Sequence, residues 1–164
     1  MGKIHQMTET GLLAALIFVT GLVKIPGLIP GSEFQLSAPL AVAICAIFGF
    51  RCYITAGVIA SLIGLVIGGQ NLLNIFVAMT FRLTVGGVMG LAGTSWPVLL
   101  IAGPLGSLVA RLALSGLVGL PAWSLFLAAL PGMAYTALSV WPVTVLLRRV
   151  RAQAERGMTN ALQR

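Results

Sequence analysis

One arginine limits what this chain can fold into. Arg82 sits near the midpoint of the apolar run 72–93, which follows the polar turn Gly68-Gly69-Gln70-Asn71. A run of about 20 apolar residues is long enough to cross the hydrocarbon core of a bilayer as a helix. At that depth an arginine costs at least about 2.5–3.5 kcal/mol, and its stem is too short to reach either headgroup layer. The guanidinium must therefore face the interior of a helix bundle and find carbonyls, a carboxylate, water or a ligand there. That makes Arg82 a candidate site residue. The plainer alternative is an arginine that locks two helices by donating to backbone carbonyls.

The rest of the chain demands the same solvent. Of its 164 residues, 59% are hydrophobic and 8% charged, too apolar for a soluble domain of this size. The sequence contains no aspartate, and its three carboxylates are Glu9, Glu33 and Glu155. The net charge of +7 is concentrated near the C-terminus, in Arg148, Arg149, Arg151, Arg156 and Arg164. Such a tail reports membrane orientation and anionic headgroups, not a nucleic-acid partner. Two cysteines, Cys45 and Cys52, and one histidine, His5, offer neither a disulfide framework nor a metal site. The first hydrophobic segment has Glu9 at its border and no small-x-small cleavage pattern, so it reads as part of the fold.

Six hydrophobic segments can be placed: 8–23, 36–50, 53–67, 72–93, 98–118 and 123–147. The expected fold is an all-α integral membrane protein with six transmembrane helices. Residues 1–147 form the membrane domain and 148–164 a basic cytoplasmic tail. Between the first two segments, Pro26, Gly27, Pro30 and Gly31 forbid a regular helix, and a long semi-apolar loop of that kind usually covers something. Segment three carries Ala56, Ala60, Gly64 and Gly68 at four-residue spacing beside Gly57 and Ser61, a stripe that lets helices approach closely. Gly86 with Gly90, and Gly106 with Ala110, repeat the pattern in segments four and five.

With the arginine-rich tail inside, the excess of cations predicts both termini in the cytoplasm and only Lys24 as a basic residue in an outer loop. This orientation gathers polar residues in the outer half. Lys24, Glu33 and Gln35 come from the first outer loop, Gln70, Asn71 and Asn74 from the start of helix four. Arg111 lies in the outer third of helix five, Trp123 starts helix six, and Arg82 forms a floor that Tyr135 can join. The expectation is an outward-opening cavity with more cations than carboxylates, suited to a small ligand bearing a carboxylate. Helix capping is the plainer reading of Gln70, Asn71 and Asn74, and interfacial anchoring that of Trp123. Trp96 and Trp141 read as anchors at the inner interface. No His/Cys/Asp cluster, carboxylate pair or phosphate-binding loop is visible. An enzyme, a resident cofactor and a self-contained ATP-driven pump are therefore not expected.

Six short helices, a Pro/Gly-rich first outer loop and the pattern Asn71–Arg82–Gly86–Gly90 resemble the substrate-binding S component of energy-coupling factor (ECF) transporters. Phe81 stands where that family often has a proline before the arginine. The resemblance implies a subunit of an ABC-type importer in a bacterial or archaeal cell membrane, capturing a vitamin or related micronutrient outside. It also implies a transmembrane coupling subunit and two cytosolic ATPase subunits as partners. In that family, small residues four apart on helix one meet the coupling subunit. The nearest matches here are Gly11 with Ala15 and Thr10 with Ala14. The end of helix six, Leu130-Pro131-Gly132 through Trp141-Pro142-Val143 to Leu147-Arg148-Arg149, also looks like tryptophan-transporter-type relatives of this fold. The alternatives are a self-sufficient secondary carrier for a small metabolite such as tryptophan, which lacks obvious membrane carboxylates for a proton or sodium relay, and a ligand-free structural membrane protein.

Overall fold

In the computed structural model, residues 3–26, 33–35, 37–119 and 121–162 are described, with side chains for 4–23, 37–119 and 121–157. They form six helices: α1 (Lys3–Leu22), α2 (Ser37–Phe48), α3 (Phe50–Val66), α4 (Leu72–Ala92), α5 (Trp96–Val118) and α6 (Ala122–Leu162). Three of them, α4, α5 and most of α6, are long and apolar enough to cross a membrane. The helical expectation needs one amendment. Within the loop between α1 and α2, strand β1 (Lys24–Pro26) pairs antiparallel with β2 (Glu33–Gln35), setting Lys24 opposite Gln35 and Pro26 opposite Glu33. Proline and glycine excluded a helix there, but the short extended flanks can still pair with each other.

The short helix α2 is the centre of the bundle. Its 12 residues reach only about 18 Å, well short of the roughly 30 Å hydrocarbon core. It compensates by being surrounded by protein. Pro39, Leu40, Ala41, Val42, Ala43, Ile44 and Cys45 are all buried, and α2 touches every other helix. A helix apolar all round is stable in such a place. Gly49 alone links it to α3, with φ of +83°, a conformation only glycine adopts without strain.

Around α2 the helices contact in the order α1, α3, α4, α5, α6. Short turns at residues 67–71 and 93–95, and the short link from Val118 to Ala122, make α3 to α6 alternate in direction. One end of the bundle therefore collects the C-terminus of α1, the ribbon, and the N-termini of α2, α4 and α6. The other end collects Gly49, the α4–α5 turn and the far half of α6. There Trp96 and Trp141, read as independent anchors, stack edge to face with ring centroids 4.2 Å apart.

Helix α6 does not stop near residue 147. It runs on for 41 residues in all, about 60 Å, twice the hydrocarbon thickness. The arginine-rich segment is thus a continuation of α6. Arg151 holds it to the bundle, donating from Nη1 to the Ile47 carbonyl at 2.6 Å, lying 4.9 Å above the Phe48 ring and pairing with Glu155 at 3.0 Å.

Candidate functional site

Small side chains on α3 create the site. Tyr53, Gly57 and Ser61 follow one another at four-residue spacing, so they share a face of the helix; all three are buried. That face turns towards α4, and Arg82 lies across it. A Cβ placed on Gly57 would overlap the Arg82 side chain, meeting Cδ at 2.7 Å and Cζ at 2.8 Å, with Nε closer still. One turn further along, the Arg82 Nη1 donates to Ser61 Oγ at 2.8 Å and approaches the Met79 sulfur at 3.7 Å. Gln70 folds back over the same stripe, where a Cβ on Gly64 would come within 3.0 Å of its side chain. A stripe that alone promised only helix packing thus serves as the bed for two polar side chains.

Arg82 is 6% exposed and has no carboxylate partner among the described residues. The locking alternative fails in its simple form, because its hydrogen bonds go to a serine hydroxyl and a thioether rather than to backbone carbonyls. Beside the guanidinium lies Tyr53, fully buried, whose hydroxyl is close enough to Arg82 to interact with it but meets no partner at full hydrogen-bond geometry. The Gln70 Oε1 is the other buried side-chain polar atom in this condition among the described residues.

These groups line one cavity of about 460 Å³, within the usual 300–1,000 Å³ of small-molecule sites. It extends from the ribbon end of the bundle to mid-depth. Gln70, Asn71, Asn74, Arg82, Arg111 and Tyr135 all line it. Its apolar walls include Ile17, Phe18, Val77, Phe81 and Leu114. Asn71 also caps α4, its Oδ1 accepting from the Asn74 amide at 2.8 Å. Capping and cavity lining therefore coexist at that residue. Phe81 is positioned by α5, since a Cβ on Gly106 would stand 2.9 Å from its ring.

One expected ligand-site residue is not brought to this cavity. Trp123 is 68% exposed and packs on Phe126, ring centroids 5.7 Å apart, outside the lining, to which α6 contributes only from Ala128 onwards. The side chains of Lys24, Glu33 and Gln35 lie outside the described residues, although β2 itself packs against α1 and α6 at the mouth end. Conversely, Tyr53, Ser107 and Thr136 were missed and line the cavity. For Tyr53 a signal existed: it is one of two tyrosines and continues the Gly57–Ser61 stripe.

On α1, Ala14 needs correction as a partner-facing residue. It is 1% exposed and belongs to the core of the bundle, because it shares a face with Leu13 and Ile17 against α3. Gly11 and Ala15 do face outwards.

Comparison with known proteins yields a relative that matches along most of the chain. The chain is 54% identical over 143 residues, covering 87% of its own length and 86% of the relative's, to Protein BioX of Lysinibacillus sphaericus. It belongs to the BioX family. No family profile matches the chain, nor does a solved structure. Membership of this family gives no support to the tryptophan-transporter likeness read from the end of helix six. That likeness rested on prolines, tryptophans and arginines common at helix ends in any membrane protein.

Proposed function

We propose that this protein is the substrate-capturing membrane subunit of a multi-component importer, an S component of the ECF type, for a biotin-related small molecule that carries a carboxylate. The observation behind this reading is the cavity itself, open at one end of a helical bundle and holding two arginines with no described carboxylate on its wall. Such a lining suits an anionic ligand with an apolar body. The name of the BioX relative directs the choice of ligand towards biotin and molecules related to it.

In this reading all six helices are embedded in a bacterial cell membrane, with both termini in the cytoplasm and the ribbon end outside. The arginines of the α6 extension then lie in the cytoplasm, as the excess of positive charge on that side requires. Helix α2 needs no lipid-facing length of its own, because its neighbours surround it. The absence of a carboxylate among the described cavity residues removes the groups a proton- or sodium-coupled carrier would titrate. Energy would come from a transmembrane coupling subunit and two cytosolic ATPases, with the outward-facing Gly11 and Ala15 on α1 as the contact. The protein performs no chemistry on its ligand.

The test is a titration of purified protein with biotin, followed through the fluorescence of its three tryptophans, together with biotin uptake by cells that express the protein with and without a coupling module. Saturable one-to-one binding, with uptake only when the module is present, is expected. Uptake by the protein alone, driven by an ion gradient, would replace this reading with a carrier.

A further inference from the structure

Two arginines line the cavity, and they differ in depth and in preparation. Arg82 lies ten residues into α4 from Leu72, about 15 Å below the mouth by helical rise. Arg111 lies seven residues from the end of α5 at Val118, about 10 Å from the same mouth, and is only half-buried. The deeper guanidinium is bedded on Gly57 and tied through Nη1 to Ser61. Its Nε and Nη2 meet no hydrogen-bond acceptor of normal geometry among the described residues. A buried cation without a counter-ion is costly, and so is a buried hydroxyl that lacks a well-formed hydrogen bond. Both costs occur at adjacent groups, Arg82 and Tyr53.

We infer that the floor of the cavity receives the carboxylate of the ligand, which enters first, and that Tyr53 is the positioning residue that holds Arg82 for it. This rests on the capture reading above. A carboxylate presents two oxygens in a plane and matches the planar fork of a guanidinium. Ser61 fixes one nitrogen from the α3 side and Gly57 lets the side chain lie flat against that helix. The Tyr53 hydroxyl, beside the guanidinium, limits its rotation and gains a partner once the anion is seated. The body of the ligand then lies along Phe81, Val77 and Leu114, towards Arg111, Asn74 and Gln70 at the mouth. A larger polyanion such as a phosphate ester does not suit a floor with one cation.

The position of the carboxylate makes the inference testable. Biotin and a panel of small monocarboxylic acids are each titrated against the wild type beside their methyl esters and primary amides, by tryptophan fluorescence and thermal shift. The free acid is expected to outbind its ester and amide by about tenfold or more. In Tyr53→Phe, which keeps the ring and its packing, the acid should lose about tenfold while the ester changes by less than about twofold, so the gap closes. A purely structural role for Tyr53 would weaken acid and ester alike and overturns the positioning assignment. An acid–ester gap that survives Tyr53→Phe and vanishes in Arg111→Gln overturns the inference, because the carboxylate then sits at the mouth. Equal binding of biotin and its ester overturns it and leaves the capture reading intact. Binding of another acid in the expected pattern without biotin keeps the floor assignment and refutes biotin as the ligand. A panel in which no acid binds refutes both.

Discussion

Two faces of small residues look alike in sequence and differ in what they meet. On α3, Gly57 and Gly64 each have a polar side chain lying in the space a Cβ would fill, Arg82 in one case and Gln70 in the other. On α1, Gly11 meets nothing within 4 Å. The α3 face is filled from within the chain and belongs to the cavity. The α1 face at Gly11 is open, available to lipid or to a partner. Small residues at four-residue spacing therefore announce close approach, but they do not say whether a helix, a polar side chain or another protein makes it.

Five substitutions test that contrast. Arg82→Ala removes the group the α3 face accommodates. Ligand affinity should fall by about 100-fold or more, the range for losing one partner of a buried charge pair, while the purified protein still melts cooperatively. A folded variant with wild-type affinity would remove Arg82 from the site. Gly57→Ala keeps the arginine but takes its bed: the new methyl must displace the guanidinium. Affinity is expected to drop about tenfold and the melting temperature to fall, within the roughly 1–3 kcal/mol of an overpacked core. If neither changes, the close approach of Arg82 to α3 is not required.

Ser61→Ala sharpens the same comparison with a smaller effect. It removes the acceptor at 2.8 Å without adding bulk, and about 1 kcal/mol of binding or stability, roughly a fivefold change in affinity, should follow. Gly11→Ala should do least. With open space around it, the stability measured by thermal melting should stay within about 0.5 kcal/mol and ligand affinity should not move. A bulkier change, Gly11→Leu, then separates the two uses of the open face. Uptake with the coupling module should fail while binding persists if a partner docks there, and neither should change if only lipid does.

Much of this protein could be read directly from the order of its residues. The apolar runs locate all six helices, because hydrophobic length and proline and glycine breaks are local properties. The demand that Arg82 face inwards also followed from the chain alone, since the cost of an exposed guanidinium in hydrocarbon does not depend on the neighbours. Gln70, Asn71 and Asn74 could be assigned to one end of the bundle for the same kind of reason: the alternation of helices puts them there.

Tertiary packing decided the rest. Which serine the arginine would bond, and that Tyr53 would stand beside it, depend on the rotation of α3 against α4. That rotation is set by the fit of side chains along the whole contact. The burial of Ala14 and the exposure of Trp123 depend equally on which side of α1 and α6 meets the core, and no local pattern in those highly apolar helices distinguishes the sides. The role of α2 is the clearest case. Its 12 residues are too few to cross a bilayer alone, and only the arrangement of five other helices around it explains how so short and apolar a helix is accommodated.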